Sequence, residues 1–247
     1  VVVAVIPSRY ASTRLPGKPL LDIGGQSLVQ RVYGAVSRCS AIDRTIVATD
    51  DDRIVSHVAS FGGEAVLTSA THESGTDRVA EVTATLPADA LVINVQGDEP
   101  FLEPDLLDQL LTPLQSGQSD IATLATPIAD EGSLFSPHVV KVVTGERQRA
   151  IYFSRHAIPY LRELPLGRWL ERGVHRQHLG VYAFRNATLQ QLTRLTVGSL
   201  ERLERLEQLR WLQAGHTIHV VDCHSQGYGI DTPTDLERAR AQVQTLP

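Results

Sequence analysis

This sequence predicts an α/β fold, a mostly parallel sheet covered by helices on both faces, and three observations carry the prediction. Short apolar, β-branched runs recur at residues 1–6, 45–48, 64–67 and 91–95. Segments with a helical period of 3.6 residues separate them. Residues 91–95 are apolar apart from Asn94, as strands buried on both faces tend to be.

The elements follow in order. Residues 1–6 are too few to cross a membrane, which takes roughly 18–20 continuous apolar residues, and no basic flank marks them as a secretory signal. They read as a buried strand. Residues 27–38 form a helix with Leu28, Val29, Val32 and Val36 on one stripe and Ser27 as a candidate N-cap. Residues 50–60 open acidic and turn apolar at Ile54, Val55 and Val58, the pattern of a helix with negative charge at its N-terminus. Helices are expected at 76–86 and 104–114, and strands at 121–125 and 178–184. Residues 139–143 and 150–153 suggest a hairpin around Gly145. Residues 199–213 read as one amphipathic helix carrying Leu200, Leu203, Leu206, Leu209 and Trp211. A strand at 217–221 and a helix at 233–243 close the chain. We expect one α/β domain over 1–247, with an inserted, partly antiparallel section at about 126–197.

Composition narrows the class. The 247 residues are 42% hydrophobic and 21% charged, with a net charge of −5. That balance gives no electrostatic footprint for nucleic acid, and no membrane span is expected. Cys39 and Cys223 belong to no metal-binding spacing and read as reduced structural thiols in a cytoplasmic protein. The chain contains no Met, so the initiator is expected to lie ahead of this numbering.

The loop after the first strand, Pro7 to Leu20, combines Arg9, Arg14 and Lys18 with Ser8, Ser12, Thr13 and Gly17. Ligands of doubly wound sheets sit beyond the carboxyl ends of strands. Small residues let backbone N–H groups approach phosphate oxygens, and cations neutralise them. A Walker A loop is excluded, because Pro19 follows Gly17-Lys18 and Ser12 stands where the first Gly belongs. No G-x-G-x-x-G follows the strand either, which disfavours a Rossmann oxidoreductase. Two readings stay open on these residues alone: a phosphate-binding loop, or an exposed basic loop.

The text Ile6-Pro7-Ser8-Arg9-Tyr10-Ala11-Ser12-Thr13-Arg14-Leu15-Pro16-Gly17-Lys18-Pro19-Leu20 resembles the nucleotide-binding signature of the 3-deoxy-manno-octulosonate (Kdo) cytidylyltransferases, departing only at Ser8. Further similarity runs through Ser74-Gly75-Thr76-Asp77-Arg78, Asn94 to Pro100, Tyr152 to Arg155, His178 to Tyr182, Leu206 to Arg210 and Gly229 to Pro233. The resemblance implies a Rossmann-like sheet of the nucleotide-diphospho-sugar transferase type. It implies transfer of CMP from CTP to Kdo with release of pyrophosphate, for lipopolysaccharide biosynthesis. It also implies Mg²⁺ as cofactor, CTP and Kdo as small-molecule partners, and a homodimer formed through the inserted hairpin.

Asp98 and Glu99 follow the strand at 91–95 through Gln96-Gly97, where Gly97 is expected to permit a tight turn. Asp231 stands just before the closing helix. Read by themselves, these carboxylates are a solvated turn residue and a helix cap. The resemblance makes Asp98 and Asp231 metal ligands and Arg9 and Lys18 their catalytic companions. Mg²⁺ suits such a site, since it takes one or two carboxylates and completes its shell with phosphates and water.

The resemblance places the nucleotide against Pro7, Ser8, Arg9, Arg14, Lys18, Thr49, Ser74, Asp77, Arg78 and Gln96. For Ser74 and Asp77 plain helix capping is the competing reading. Sugar contacts are implied at Arg155, His178, Tyr182, Glu204 and Gln208. Arg155 suits bidentate pairing with a carboxylate, and Glu204 and Gln208, four apart, are expected on one helix face. Without the resemblance, His178 is an ordinary strand histidine and the last two are solvated. Two other activities compete: a cytidylyltransferase for another acidic sugar (an 8-amino analogue or an acylneuraminate), and a non-catalytic nucleotide-binding module.

Overall fold

The computed structural model describes residues 1–11, 15–225 and 227–245. They fall into two compact units, one of Val1–Asp108, Arg185–Leu189 and Ser225–Pro247, the other of Gln109–Phe184 and Gln190–His224.

The first unit has the alternation that the sequence predicts. Strand β1 (Val2–Ser8) is followed by helix α1 (Leu28–Ser37), β2 (Arg44–Thr49), α2 (Asp52–Ser60), β3 (Glu64–Leu67), α3 (Gly75–Thr83), β4 (Leu91–Asn94) and α4 (Pro104–Gln115). The strands stand in the order β3-β2-β1-β4, and every pairing among them is parallel. Val3, Ala4, Val5 and Ile6 are wholly buried, as expected of a central strand between helical layers. Helix starts follow local chemistry. The Ser27 hydroxyl accepts from the Gln30 amide at 3.2 Å, and the Asp51 carboxylate from the Arg53 amide at 2.9 Å.

The second unit is mixed. Strand β5 (Ile121–Pro127) precedes helix α5 (Glu131–Phe135), β6 (Lys141–Thr144), β7 (Ala150–Ser154) and β8 (Arg176–Arg185). Helix α6 (Asn186–Leu192) begins in the first unit, α7 (Ser199–Glu204) and α8 (Gln208–Gln213) lead to β9 (His219–Asp222), and α9 (Pro233–Thr245), which closes the chain, belongs to the first unit. Strand β5 pairs antiparallel with β8 and parallel with β9, while β6 lies antiparallel to β7 and β8. The hairpin β6–β7 forms as expected around Gly145, although its first strand begins at Lys141 rather than at 139. Its tip places Arg147 and Gln148 at φ 57° and 56°, the left-handed pair that two-residue hairpin turns normally fill with Asn-Gly.

One expected element is corrected. Residues 199–213 do not form a single helix. Arg205 adopts φ 55° and ends α7, and α8 starts at Gln208. The break buries Leu206, Leu209 and Trp211 and leaves Leu203 81% exposed. Glu204 and Gln208 therefore do not share a helix face.

Both cysteines are buried and free. Among the described residues, no helix is long and apolar enough to cross a membrane.

Candidate active site

The first unit gathers three loops at the carboxyl end of its sheet. The loop after β1 turns at Gly17, which adopts φ 66°. A Cβ on Gly17 would also lie 3.2 Å from the Tyr10 ring, so both backbone angle and space call for glycine. A short 3₁₀ turn follows at Lys18–Leu20, with Pro19 buried. The loop after β4 carries Asp98. The tight turn forms, the Glu99 amide donating to the Gln96 carbonyl at 3.4 Å, but Gly97 is not in the left-handed region, so the turn angle alone does not call for glycine. It is needed for close approach, because a Cβ there would sit 2.8 Å from the Pro7 carbonyl oxygen and 2.9 Å from Ser8 Oγ. The third loop precedes α9, and its Ile230 amide donates to the Asp98 carbonyl at 2.9 Å.

These loops converge on Lys18. Its Nζ donates to Asp98 Oδ2 at 2.7 Å and to Asp231 Oδ1 at 3.0 Å. Asp231 is not the cap of the closing helix. The Asp235 carboxylate accepts from the Asp231 and Thr232 amides, and Thr232 Oγ1 accepts from the Asp235 amide. Glu99 as a residue is only partly covered, yet its carboxyl is strongly desolvated. Burial first and the Asp98 charge second push its pKa up to about 8. Glu99 is thereby biased toward its protonated form at neutral pH.

A cleft of about 380 Å³ opens beside this cluster, lined by Pro7, Ser8, Arg9, Lys18, Gln96 and Asp98 together with Gly75 and Gly97. Ser8 Oγ is buried without a hydrogen-bond partner among the described residues. Arg9 is exposed at the edge, donating to the His72 carbonyl at 2.6 Å. A larger cleft of about 650 Å³ lies between α1 and the Phe101-Leu102 turn. No sequence-predicted residue lines it and it has no paired carboxylates, so the site belongs to the smaller one.

The remaining nucleotide candidates have structural duties. Ser74 and Asp77 form a reciprocal capping box on α3, with bonds of 3.1 Å in each direction. Arg78 is wholly buried and pairs with Asp50 at 2.8 Å and with the Thr68 hydroxyl. Thr49 is buried, and its hydroxyl accepts from the Asp51 amide at 3.3 Å. None of these four lines the cleft. Arg14 lies outside the described residues.

The second unit groups the sugar candidates into two sets. Arg155 donates through Nε to the Glu204 carbonyl at 2.7 Å, through one terminal nitrogen to the Pro137 carbonyl at 2.9 Å, and through the other to the Arg205 carbonyl at 3.4 Å. The Glu204 carboxylate accepts from Ser154 Oγ at 2.6 Å and from the Arg155 amide at 2.9 Å. Beneath them Lys141 is wholly buried, its ammonium donating to the carbonyls of Ser136, Val139 and Arg155. The second set is aromatic. His178 meets Phe153 and Tyr182, and Tyr182 packs on Phe184 and Trp211. Burial lowers the His178 pKa to about 3, and Nε2 lies 2.9 Å from Thr123 Oγ1. The Tyr182 hydroxyl is buried, and burial raises its pKa well above the usual value despite the neighbouring Thr123 side chain. Gln208 is 5% exposed.

Residues 3–218 match the cytidylyltransferase family. A 3-deoxy-manno-octulosonate cytidylyltransferase of Cytophaga hutchinsonii is 46% identical over 240 residues, 96% of this chain and 95% of its own. One of Anaeromyxobacter dehalogenans is 47% identical over 244 residues, covering 97% and 96%. The chain belongs to the 3-deoxy-manno-octulosonate cytidylyltransferase family. A solved structure of CMP:2-keto-3-deoxy-manno-octonic acid synthetase complexed with CTP superposes on this family member with a TM-score of 0.91 at 42% identity, covering 99% of both chains.

For a divalent ion in this cytidylyltransferase, the candidate donors are Asp98 and Asp231, whose carboxylates share one ammonium. No group of three or more His, Cys, Asp or Glu that could hold a metal occurs among the described residues. Two carboxylates fit Mg²⁺, which expects substrate phosphates and water for the rest of its shell, better than they fit a metal needing a full protein cage. Sequence reasoning missed Gly75 as a lining residue and the close approach at Gly97, because close backbone approach leaves no pattern in one sequence.

Proposed function

We propose that the chain transfers CMP from CTP to Kdo, releasing pyrophosphate, in the cleft between the Arg9–Lys18 loop and Asp98. The observation that carries this reading is the meeting of Lys18, Asp98 and Asp231, residues 80 and 213 positions apart in sequence, at one end of a parallel sheet. Phosphoryl transfer of this kind needs alignment and neutralisation of charge more than covalent help. Arg9 and Lys18 supply the cations for the α-phosphate and the departing pyrophosphate. Ser8 offers a buried, unpaired hydroxyl as a further hydrogen-bonding group. Asp98 and Asp231 would hold Mg²⁺, which when bound acidifies and orients the anomeric hydroxyl of the sugar. Gln96 lines the same cleft and offers an amide to the base edge.

Arg155, His178, Tyr182, Glu204 and Gln208 are proposed sugar contacts. The clustering of His178 and Tyr182, both from β8, supports that role for the aromatic set. We also propose a homodimer formed through the hairpin. Ile151 on β7 is 62% exposed, and among the described residues β6 is the one strand that β7 pairs with. An Ile151→Lys variant should then sediment as a monomer where the parent chain does not. The setting that fits is the cytoplasm, with the product feeding lipopolysaccharide assembly.

The direct test is pyrophosphate release, with CTP, Mg²⁺ and Kdo omitted in turn. Release should require all three. Faster turnover with an acylneuraminate or with 8-amino-Kdo would reassign the sugar, and no release with the full set would end the proposal.

A further inference from the structure

We propose that Lys18 is a resident counter-ion that closes the Asp98–Asp231 pair to free divalent cations until a triphosphate draws its ammonium away. The inference rests on the reading of Asp98 and Asp231 as metal ligands and adds an order of events to it. Three observations support it. The ammonium contacts both carboxylates at once, at 2.7 Å and 3.0 Å, so it stands where an ion shared by the two would stand. It is well sheltered, the Lys18 side chain being 14% exposed against 52% for Asp231. The backbone beneath it is pinned by left-handed Gly17 and buried Pro19, which leaves the flexible four-carbon stem as the part that can move.

The same cleft provides somewhere for that ammonium to go. Lys18, Arg9 and Ser8 all line it, so a polyphosphate bound there offers Lys18 anionic oxygens in exchange for the two carboxylates. Once Lys18 has turned, Asp98 and Asp231 face each other as like charges, which favours a divalent ion between them. Cation and triphosphate are thereby coupled, and the coupling is reciprocal, each raising the affinity for the other. Before the triphosphate arrives, half of the pair's charge is offset from within and the space between the carboxylates is occupied, so the pair competes poorly for the metal.

The test is a titration of nucleotide-free protein with Mn²⁺, followed by loss of the free-ion EPR signal. The parent chain should bind weakly. Lys18→Met and Lys18→Gln should each bind about tenfold more tightly or better, the scale on which one contacting charge shifts a carboxylate equilibrium. Lys18→Arg, which keeps the charge, should stay weak. Equal affinity in the parent chain and Lys18→Met, or tight binding by Lys18→Arg, would overturn the counter-ion role while leaving the metal ligands standing. Adding Asp98→Asn to Lys18→Met should abolish the gain. A gain that survived there would overturn the assignment of the ion to Asp98 as well.

Discussion

The two units use their charged side chains differently. In the first, Lys18 is held by two carboxylates, those of Asp98 and Asp231. In the second, Arg155 and Lys141 are held by main-chain carbonyls, three each. A cluster of charged side chains paired with one another can exchange partners with a charged ligand at little structural cost. A cation that satisfies buried carbonyls cannot leave without orphaning them. The comparison separates residues fitted to chemistry from residues that also hold their own surroundings together.

The largest effect should come from Asp98→Asn. Turnover should fall about 10²–10³-fold, the usual loss when one electrostatic element of a transition state is removed, while CTP binding and the thermal midpoint persist. Steady-state kinetics beside a binding titration would show this, and an unaltered kcat would break the comparison from the first unit's side. Arg155→Ala tests the other side. Loss of its bonds to the carbonyls of Glu204, Pro137 and Arg205 should cost about 2–3 kcal/mol in urea unfolding. Weaker sugar binding with no loss of stability would mean that Arg155 serves the ligand alone.

A smaller effect is expected from His178. Its ring is neutral in the fold, with a pKa lowered by burial to about 3, whereas in the unfolded chain it titrates near 6.5. The unfolded state therefore takes up the proton first. The contribution is intact above pH of about 6.5 and is lost as pH falls toward about 3, at up to about 1 kcal/mol per pH unit. Urea midpoints at neutral and mildly acidic pH should differ less in His178→Gln than in the parent chain. The smallest change should be a gain. Replacing the exposed left-handed pair, Arg147→Asn with Gln148→Gly, should raise stability by about 1 kcal/mol, read as a higher thermal midpoint with unchanged kcat.

Much of this was legible in the sequence wherever the cause is local. Ser27 and Ser74 cap the helices they precede, and the apolar runs become the parallel strands. The basic loop and Asp98 could be placed at one rim because both follow strands of the same parallel sheet. The division of residues 199–213 was not legible. The leucine spacing continues through Arg205, and what breaks the helix there is the engagement of Glu204 with Ser154 and Arg155, some fifty residues away. Nor could the text show that Ser74 and Asp77 are occupied by their cap, or that Arg78 is spent on Asp50.

By itself, the sequence determined which segments of the first unit become strands and helices, where Ser27 and Ser74 start two of the helices, and which residue types could meet a triphosphate, since these depend on neighbours a few positions apart. Only the tertiary structure decided that Lys18 lies between Asp98 and Asp231, that Gly97 makes room for Pro7 and Ser8, and that Arg155 is committed to carbonyls. Those contacts join residues far apart in the chain, and an ion pair or a close approach depends on distance in space, which no local pattern records.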